Sequence, residues 1–571
     1  MVKDAEGDLM PTINMLLSDL ESLVGKRLPR NSDDLTELLA FVKGEVETLI
    51  VDELAVEIKD GNRADLWGVE GIARALRGAL GIEEGLKEYR TEAFSGVEIK
   101  VDSKLRSIRP YIGAAVVRDV HLTDDVIRGF MHLQDKLDQT YGRKRTRTSI
   151  GLYNFSLIAP PLHYTVAKPE AVSFVPLDGS REMNLKEILN THPKGLEYGH
   201  IVESFEEWPI LLDAKGKVLS FPPIINSNDL GKITEDTRDI LVEVTGTDHN
   251  TVLNTLILVM LSIADRGGEI LSSHVLYPYG AVREETVPSL AASQTRLELR
   301  LIDDILGLSL SPEKVINLLK KARYDANPID GKSVLVEVPC YRVDIMHPVD
   351  IVEDVAIIYG YNNIEPRWPQ LVTFGELDKA EFTYDSVREI MVGLGFQEIF
   401  SFSMTSPQNL FNKMNIKRGR IIEVANPLSE RFTCLRSWLL PSLMEFLSNN
   451  THVGYPQEVF EVGECAILDK SSRTGVSDVE KIACVSIHSK AAFSEIKAVL
   501  NGFFLNLGVK YDLAEIKCGS FIEGRAGEVS VCGVGIGLVG EINPVVLEQW
   551  GLENPVVGFE VNLSKLLNLR R

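Results

Sequence analysis

Four acidic side chains stand close together in one short segment, and their spacing suits two roles. The stretch RVDIMHPVDIVEDVAIIYGYNNI, residues 342–364, carries Asp344, Asp350, Glu353 and Asp354 within eleven positions. Carboxylates favour the positive N-terminal end of a helix, where each contributes about 0.3–1 kcal/mol. Like charges three or four residues apart on a helix repel one another, and a hard divalent cation relieves that repulsion. The pattern therefore indicates either helix capping or a Mg²⁺ site with oxygen ligands.

A helix must position these acids, and the same segment contains the signals for one. Pro348 suits the first helical turn, where its missing N–H leaves no hydrogen bond unmade. Val352 and Val355 belong to an apolar face at helical spacing, and Gly360 ends the helix. Three of the acids then share one patch of the helix surface. The fourth, Asp344, lies in the loop just before it.

The composition is that of a folded protein with a strong negative charge. The chain has 571 residues, of which 44% are hydrophobic and 25% charged, and its formal net charge is −22. This length predicts three or four domains in series. Most of the surface would repel a polyanion, so any contact with nucleic acid must be local and shared with a partner.

Cysteine and histidine spacing excludes the common zinc motifs. The six cysteines are scattered singly, and the ten histidines form no HxxxH pair. This argues against a zinc site and a disulfide framework, and it favours a reducing cytosol. The first residues lack the shape of a signal peptide, and the most apolar run, residues 251–268, is too short to span a bilayer. We therefore expect a cytoplasmic protein with no membrane partner.

Changes in residue pattern divide the chain into four parts. The first is helical up to about residue 85, and the second alternates strands and proline-rich turns with helices at Thr123–Thr140 and His249–Ala264. The third reads helix, helix, strand, loop, helix, with Ser311 as a helix cap before Pro312. The fourth mixes strands, such as QEIFSFSM, with helices. The predicted boundaries are 1–85, 86–275, 276–370 and 371–571.

The acidic segment resembles a motif of a known family. Arg-x-Asp, then Asp-x-x-Glu-Asp and YGYNNI, looks like the magnesium-binding motif of the phenylalanyl-tRNA synthetase β subunit. The resemblance implies that Asp344, Asp350, Glu353 and Asp354 hold Mg²⁺ in a helix-turn-helix-like module.

Other segments, in the same order along the chain, resemble the archaeal and eukaryotic cytosolic form of that subunit. They are MPTINM from Met10, NRADLWGVEGIARALRG, IRPYIGAAVVRDVHLTDD, GRKRTRTSIGLYN, LSFPPIINSNDLGKITEDTRDILVEVTGTD, and GLVGEINPVVLEQWGL followed by VVGFEVNL. The implied fold is α+β and multidomain. It has an N-terminal helical or α+β domain, an α+β editing domain, the helix-turn-helix-like Mg²⁺-binding module and a degenerate class II synthetase-like module with an antiparallel sheet.

The motifs for joining an amino acid to tRNA are incomplete in the last part. Class II catalysis needs an arginine–glutamate pair and a later arginine to bind ATP. Here Arg436 is followed by Ser437 and Trp438, with no acid two positions on, and no arginine stands beside Glu560. The resemblance implies that a separate α chain ligates phenylalanine to tRNA(Phe) with ATP, within an α2β2 assembly.

The resemblance also implies an editing site on this chain. LLDAKGKVLSFPPIINS reads as a hairpin turning at Lys215–Gly216, with Leu211 and Ser220 on its two strands. Glu243 and Thr245 stand two apart, so they share one face of a strand. By resemblance these four residues line a pocket that hydrolyses tyrosyl-tRNA. In it Glu243 receives the tyrosine hydroxyl, and Thr245 with bound water helps to cleave the ester. By their spacing alone they are ordinary strand residues.

Two rival functions stay open at this point. One is a freestanding tRNA deacylase that needs no partner, and the other is a non-catalytic scaffold that binds nucleic acid. The basic loop GRKRTRTS suits either a tRNA backbone contact or a solvated turn. The GIGLVG segment at 535–540 matches a dinucleotide fingerprint, but too few residues follow it for that domain. A strand crowded against another backbone explains these glycines better.

Overall fold

The computed structural model describes residues 12–280, 283–370 and 372–570, and the chain forms two compact units, Met1–Arg367 and Trp368–Arg571. Met10 and Pro11, where the family resemblance begins, lie outside the described residues, as do residues 1–9. The division into two units is coarser than the four predicted parts, whose boundaries stay predictions.

The N-terminal unit begins with a small sheet covered by helices. Its elements are β1 (Thr12–Leu16), α1 (Leu17–Val24), α2 (Ser32–Leu39), β2 (Gly44–Ile50), β3 (Glu53–Ile58) and α3 (Val69–Ala79). The strands pair in the order β1–β3–β2. The helical prediction is wrong for β1 and β2, because both strands pair with β3 and this tertiary pairing overrides the local helical spacing.

A large mixed sheet forms the centre of the same unit. Its elements are β4 (Thr91–Val101), β5 (Tyr111–Arg118), α4 (Asp124–Gln139), β6 (Thr148–Asn154), β7 (Leu162–Ala167), β8 (Ser173–Phe174), β9 (Met183–Asn184), α5 (Leu185–Thr191), α6 (Pro193–Tyr198), β10 (Trp208–Leu212), β11 (Val218–Phe221), β12 (Ile225–Asn226), β13 (Ile240–Gly246), α7 (His249–Ala264), β14 (Glu269–Leu276) and β15 (Glu284–Val287). The strand order is β12–β11–β10–β7–β4–β14–β5–β13–β6, with β15 paired to β14. The short strands β8 and β9 pair separately.

The helices embedded in this sheet confirm their sequence signals. Thr123 caps α4, and Asp248 accepts a hydrogen bond from the Thr251 backbone N–H at 2.9 Å at the start of α7. The apolar α7 lies against β5 and β13 and is buried along most of its length. Among the described helices, none combines the length and apolar character that crossing a membrane requires.

The last part of the N-terminal unit is a small sheet with helices on it. Its elements are β16 (Ser293–Glu298), α8 (Leu299–Leu306), α9 (Pro312–Lys321), β17 (Asp325–Asp330), β18 (Ser333–Val338) and α10 (Pro348–Tyr359). The strands pair in the order β16–β18–β17. The sequence pattern predicted only one strand in this part of the chain, so β16 and β17 were not predicted. The cap at Ser311 is confirmed, and so are the start of α10 at Pro348 and its end before Gly360.

The second unit is a mostly antiparallel sheet flanked by helices. Its elements are α11 (Lys379–Gly393), β19 (Gln397–Glu398), β20 (Met404–Thr405), β21 (Cys434–Leu435), α12 (Leu440–Asn449), β22 (Gln457–Leu468), β23 (Val476–Ile487), α13 (Phe493–Leu507), β24 (Asp512–Glu515), β25 (Phe521–Val531), β26 (Val534–Ile542), α14 (Pro544–Trp550), β27 (Val556–Asn562) and α15 (Leu563–Arg570). The sheet order is β19–β22–β23–β27–β26–β25–β24, and only its edge strand β19 pairs in parallel within the described residues. The β20 and β21 strands pair with each other.

Two sequence readings in this unit have different outcomes. The strand predicted over QEIFSFSM is wrong, because only β19 and the start of β20 form there and the residues between them leave the sheet. The crowded-strand explanation of GIGLVG is confirmed at Gly537 of β26. A Cβ atom at that position would lie 2.2 Å from the Glu560 carbonyl oxygen of β27.

Candidate functional site

A cavity of about 510 Å³ opens beside the large sheet of the N-terminal unit. Its walls come from α4, from β6 and β13, and from the segment that follows β11. The apolar lining includes Ile127, Phe130, Ile150, Leu152, Phe221 and Ile224. Its size lies in the range typical of small-molecule sites, about 300–1,000 Å³, in which a few polar groups give specificity.

Glu243 is one of the polar groups on this cavity, and it is almost completely buried. Its neighbours across the sheet are Ala114 of β5 and Gly151 of β6, and these small residues leave room for its carboxyl group. The Tyr153 hydroxyl donates a hydrogen bond to Glu243 Oε2 at 2.8 Å, whereas Oε1 is buried with no partner in the part of the chain that the structure describes. Burial raises the pKa of Glu243 to about 7.

Ser220 provides a second unsatisfied polar atom on the same cavity. It lies on β11 directly opposite Leu211 of β10, which confirms the predicted hairpin register. Among the described residues its buried Oγ has no hydrogen-bond partner. Buried polar atoms are rarely left unpaired, since each costs about 1–3 kcal/mol. Two such atoms on one cavity mark a place for a ligand with hydrogen-bonding groups.

The other two predicted pocket residues lie behind the cavity wall. Leu211 is fully buried in the hydrophobic core, and neither its side chain nor that of Thr245 belongs to the lining. The Thr245 hydroxyl accepts a hydrogen bond from Arg109 Nε at 3.0 Å and lies 3.1 Å from the Ser149 hydroxyl. Ser149 itself lines the cavity. Ser220 and Glu243 can therefore contact a ligand in the cavity directly. Thr245 can act on such a ligand only through its neighbour Ser149.

One arginine of the basic loop after α4 lines the cavity. Arg143, Lys144 and Arg145 all have positive φ angles of 50–63°, a conformation that costs free energy for residues other than glycine. Arg145 is buried against the cavity, 2.9 Å from Asp138 and stacked on the Tyr198 ring. Its two predecessors are exposed. Arg145 therefore fits neither of the two roles considered for this loop, a contact with the tRNA backbone or a solvated turn. It faces the same cavity as Glu243.

Sequence reasoning did not identify Tyr153, Ser149, Arg109 or Arg145 as parts of this site. One signal was available for Tyr153. It follows Gly151 by two positions in a strand, so both residues face the same side of the sheet, and Gly151 lies opposite Glu243. Arg109 had no such signal, because its contacts with Thr245 and Ser149 join residues that are 136 and 40 positions apart.

The four acids of the opening segment are distributed around basic side chains. Arg342, itself buried, donates two hydrogen bonds to Asp344 at 2.9 and 2.7 Å and forms an ion pair with Asp354 at 2.7 Å. Asp350 accepts hydrogen bonds from two backbone N–H groups at the start of α10, both at 2.8 Å. Glu353, which is exposed, pairs with Lys43. Both expected functions of these acids, capping and charge neutralisation, are thus met by the protein's own groups.

In this arrangement Asp344 and Asp354 are not free to coordinate magnesium. Magnesium requires near-octahedral oxygen ligands, but the Asp344 and Asp354 oxygens point at Arg342. Tyr324 and Arg63 also contact Asp354, the latter at 3.6 Å. Among the described residues, no three His, Cys, Asp or Glu side chains are grouped so as to hold a metal ion. The Mg²⁺ site therefore stays a prediction from the family motif.

In the second unit, Arg436 and Glu560, the two residues that the sequence analysis compared with ATP-binding motifs, are engaged internally. Arg436 is buried, 2.7 Å from Glu461, and its Nε donates to the Glu464 carbonyl at 2.8 Å. Glu560 pairs with Lys481 at 2.9 Å and accepts hydrogen bonds from the backbone N–H groups of Leu439 and Leu440. Neither side chain is free to bind a phosphate or a base.

Family models and solved structures show what this chain is similar to. The model of the tRNA synthetase B5 domain matches residues 295–361, and that of the phenylalanyl tRNA synthetase beta chain CLM domain matches residues 364–563. A phenylalanine–tRNA ligase beta subunit of Pyrococcus furiosus is 41% identical over 98% of this chain and 100% of its own length. The same subunit of Thermococcus sibiricus is 40% identical over 97% and 98%.

A solved structure supports the fold of the N-terminal unit. An N-terminal fragment of the phenylalanyl-tRNA synthetase beta subunit from Pyrococcus horikoshii superposes with a TM-score of 0.59 at 37% identity. The match covers 62% of this chain and 100% of the fragment.

The raised pKa of Glu243 predicts a pH-dependent cost of folding. Its pKa is about 7 in the folded chain against an ordinary value of 4.5, so between these values the folded state holds a proton that the unfolded state has lost. Stability therefore falls as the pH rises through this window, by roughly 3 kcal/mol in total. Glu243→Gln removes this cost. We expect the variant to gain roughly 2–3 kcal/mol relative to wild type between pH 5 and pH 8, measured by urea denaturation.

An exposed glutamate provides the control. Glu53→Gln changes a side chain at the surface of β3 and should give the same difference from wild type at both pH values. A Glu243→Gln variant whose difference from wild type is also independent of pH would show that the folded carboxyl group titrates normally.

Proposed function

The chain belongs to the family of phenylalanine–tRNA ligase β subunits, and on that premise we propose that it has two roles. With an α subunit it supports the ATP-dependent attachment of phenylalanine to tRNA(Phe) in an α2β2 assembly. In its own cavity it hydrolyses tyrosyl-tRNA that was formed in error. The observation that carries the second role is the pair of unsatisfied buried atoms, Glu243 Oε1 and Ser220 Oγ, on one cavity.

The physical need for a second site follows from the limits of apolar pockets. Such a pocket rejects a ligand that adds one hydroxyl by only about a hundredfold. A site built to hydrogen-bond that hydroxyl rejects the ligand that lacks it by about 10⁴–10⁵, because its own polar groups are otherwise left unpaired. The cavity has this composition. Phe130 and Phe221 offer apolar walls for a ring, and Glu243 offers an acceptor for a phenol.

Hydrolysis then needs a water molecule at the ester. A water oxygen attacks the ester carbonyl, the bond to the ribose oxygen breaks, and the proton goes to that oxygen, so free tyrosine and tRNA result. Ser149 lines the cavity and is held by Arg109 and Thr245, each about 3.1 Å from its hydroxyl. We assign Thr245 the role of positioning Ser149 and Glu243 that of binding the phenol.

The ligation reaction belongs, in this proposal, to the α subunit. The support is the internal engagement of Arg436 by Glu461 and of Glu560 by Lys481, which leaves neither Arg436 nor Glu560 free to bind ATP. The second unit also exposes aromatic side chains where the predicted strand leaves the sheet, with Phe400 at 90% and Phe402 at 74% exposure. Exposed apolar surface of this kind marks a protein interface, and we assign it to the α subunit.

Glu243→Ala is expected to lower the rate of tyrosyl-tRNA(Phe) hydrolysis at least about a hundredfold, because the phenol then has no acceptor. The measurement is deacylation of tyrosyl-tRNA by the full chain assembled with its α subunit. Glu480→Ala is the matched control, since Glu480 is a partly buried carboxyl whose pKa burial raises to about 7, and it lies in the other unit.

The result also separates the rival functions. Unchanged hydrolysis by Glu243→Ala would remove Glu243 from the reaction. Absence of hydrolysis in the wild type would favour a non-catalytic scaffold. Equal hydrolysis with and without the α subunit, together with no role in ligation, would favour a freestanding deacylase.

Substitution of the exposed aromatic surface is expected to prevent assembly. Phe400→Asp with Phe402→Asp places two charges where a partner would remove water from them, so α-subunit binding should weaken at least tenfold. The readouts are co-purification with the α subunit and ATP–pyrophosphate exchange, which the isolated chain should lack. Leu505→Asp, at an 80% exposed position on α13, is the control and should retain both. Exchange by the isolated chain would contradict the assignment of ligation to the α subunit.

Magnesium remains a proposal that rests on the family motif and on two accessible acids. Asp350 and Glu353 are the members of the group that are not held by Arg342, and magnesium commonly binds through one or two carboxylates with several waters. Asp350→Asn with Glu353→Gln is then expected to weaken Mg²⁺ uptake in calorimetry. Equal uptake by the variant and the wild type would leave helix capping and the Lys43 ion pair as the roles of these acids.

A further inference from the structure

Tyr153 is a fully buried tyrosine immediately behind the cavity. It lies on β6, next to β13, and its hydroxyl reaches Glu243 Oε2 at 2.8 Å. Asn226 Oδ1 lies 3.4 Å from the same hydroxyl, so the carboxyl oxygen is the closer of these two acceptors. The Tyr153 phenol thus already donates a hydrogen bond to one oxygen of the Glu243 carboxyl group. This is the carboxyl group that we propose binds the phenol of the substrate.

The contact depends on the absence of a side chain at Gly151. Gly151 lies directly opposite Glu243 in the sheet. A Cβ atom there would lie 2.2 Å from the Tyr153 hydroxyl oxygen and 2.7 Å from Glu243 Oε2, so any larger residue would separate the two groups. Because Gly151 and Tyr153 are two positions apart in one strand, the tyrosine folds back over the space that the glycine leaves.

This hydrogen bond leaves the two oxygens of Glu243 in different situations. Oε2 accepts from Tyr153, whereas Oε1 is buried, lacks a partner among the described residues and belongs to a residue that lines the cavity. A glutamate carboxyl group without such a hydrogen bond can rotate about its Cγ–Cδ bond. Either oxygen can then face the cavity. The Tyr153 hydroxyl therefore determines which oxygen is available to a ligand.

We propose that Tyr153 is a positioning residue that sets the specificity of the cavity for phenols, by holding one oxygen of Glu243 so that the other accepts the hydroxyl of a tyrosyl ester. This inference rests on the proposed hydrolysis of tyrosyl-tRNA. It predicts that the Tyr153 hydroxyl affects the tyrosyl ester and has no effect on the slow hydrolysis of a phenylalanyl ester, which has no phenol to bind.

Tyr153→Phe tests this role, because the ring stays in place and only the hydroxyl is lost. With the full chain assembled with its α subunit, kcat/KM for tyrosyl-tRNA(Phe) should fall by about ten- to a hundredfold, and phenylalanyl-tRNA(Phe) hydrolysis should stay unchanged. Tyr277→Phe is the control. It also removes a buried phenol, which donates to the Ile112 carbonyl at 2.7 Å away from the cavity lining, and it should preserve the discrimination.

The pH profile gives a readout that a purely structural role would not move. The Tyr153 hydrogen bond lowers the pKa of Glu243 against the larger rise from burial, so its loss should shift the acidic limb of tyrosyl-tRNA hydrolysis to higher pH. Arg109 and Asp138 also act on this carboxyl group, with opposite effects on its pKa. The other charged or titratable groups facing the cavity are Asp135, Arg145, Asp178, His192, Lys194 and Lys232, and all are unchanged in the variant.

Gly151→Ala disrupts the same contact while leaving both partners in place, and it should reduce the discrimination in the same direction as Tyr153→Phe. Thermal denaturation checks that each variant is folded. Equal activity, discrimination and pH profile in Tyr153→Phe and wild type would overturn the inference, as would an equal loss with both esters. A wild type that hydrolyses neither ester would instead overturn the proposed function, so the two failures are distinguishable.

Discussion

The burial of one carboxyl group, Glu243, is the constraint on which the central part of this molecule depends. A carboxyl group taken out of water must be neutral, paired or held by hydrogen bonds. The chain meets this requirement with small neighbours across the sheet, Ala114 and Gly151, and with one hydroxyl from Tyr153. The remaining oxygen stays unsatisfied at a cavity wall, and a ligand that satisfies it gains the hydrogen bond that the fold leaves unmade.

The acidic segment at α10 shows a different solution to the same electrostatic problem. The repulsion among its carboxylates is offset by Arg342 of the same segment and by Arg63 and Lys43, which come from another part of the N-terminal unit. Arg342 and Asp344 are both about 96% removed from solvent, with side-chain exposures of 4%, so their interaction is little screened by salt. These ion pairs join α10 to the N-terminal sheet region through Lys43 and Arg63.

Local sequence signals predicted the elements whose caps and periodicity lie within one segment, such as α7 behind Asp248, α9 behind Ser311 and the hairpin that pairs Leu211 with Ser220. They failed where distant pairing decides the structure. The β1 segment follows a helical pattern but pairs with β3, and the residues around Phe400 look like a strand but have no neighbour to pair with for most of their length. In the site, the family resemblance supplied Glu243 and Ser220. It could not supply Tyr153 or Arg109, whose contacts depend on how three strands are placed side by side.

The buried Arg436–Glu461 pair couples two positions of the second unit through folding stability. Glu461 has no exposure to solvent, so freeing the arginine by itself would strand a bare negative charge in the interior, at a cost of about 3–5 kcal/mol. Replacing Glu461 first would leave the guanidinium group without its counter-charge, with the Glu464 carbonyl and the Ser401 hydroxyl still accepting its hydrogen bonds. A single change at either position therefore gives a less stable protein, so the two positions can change without a loss of folding stability only as a pair.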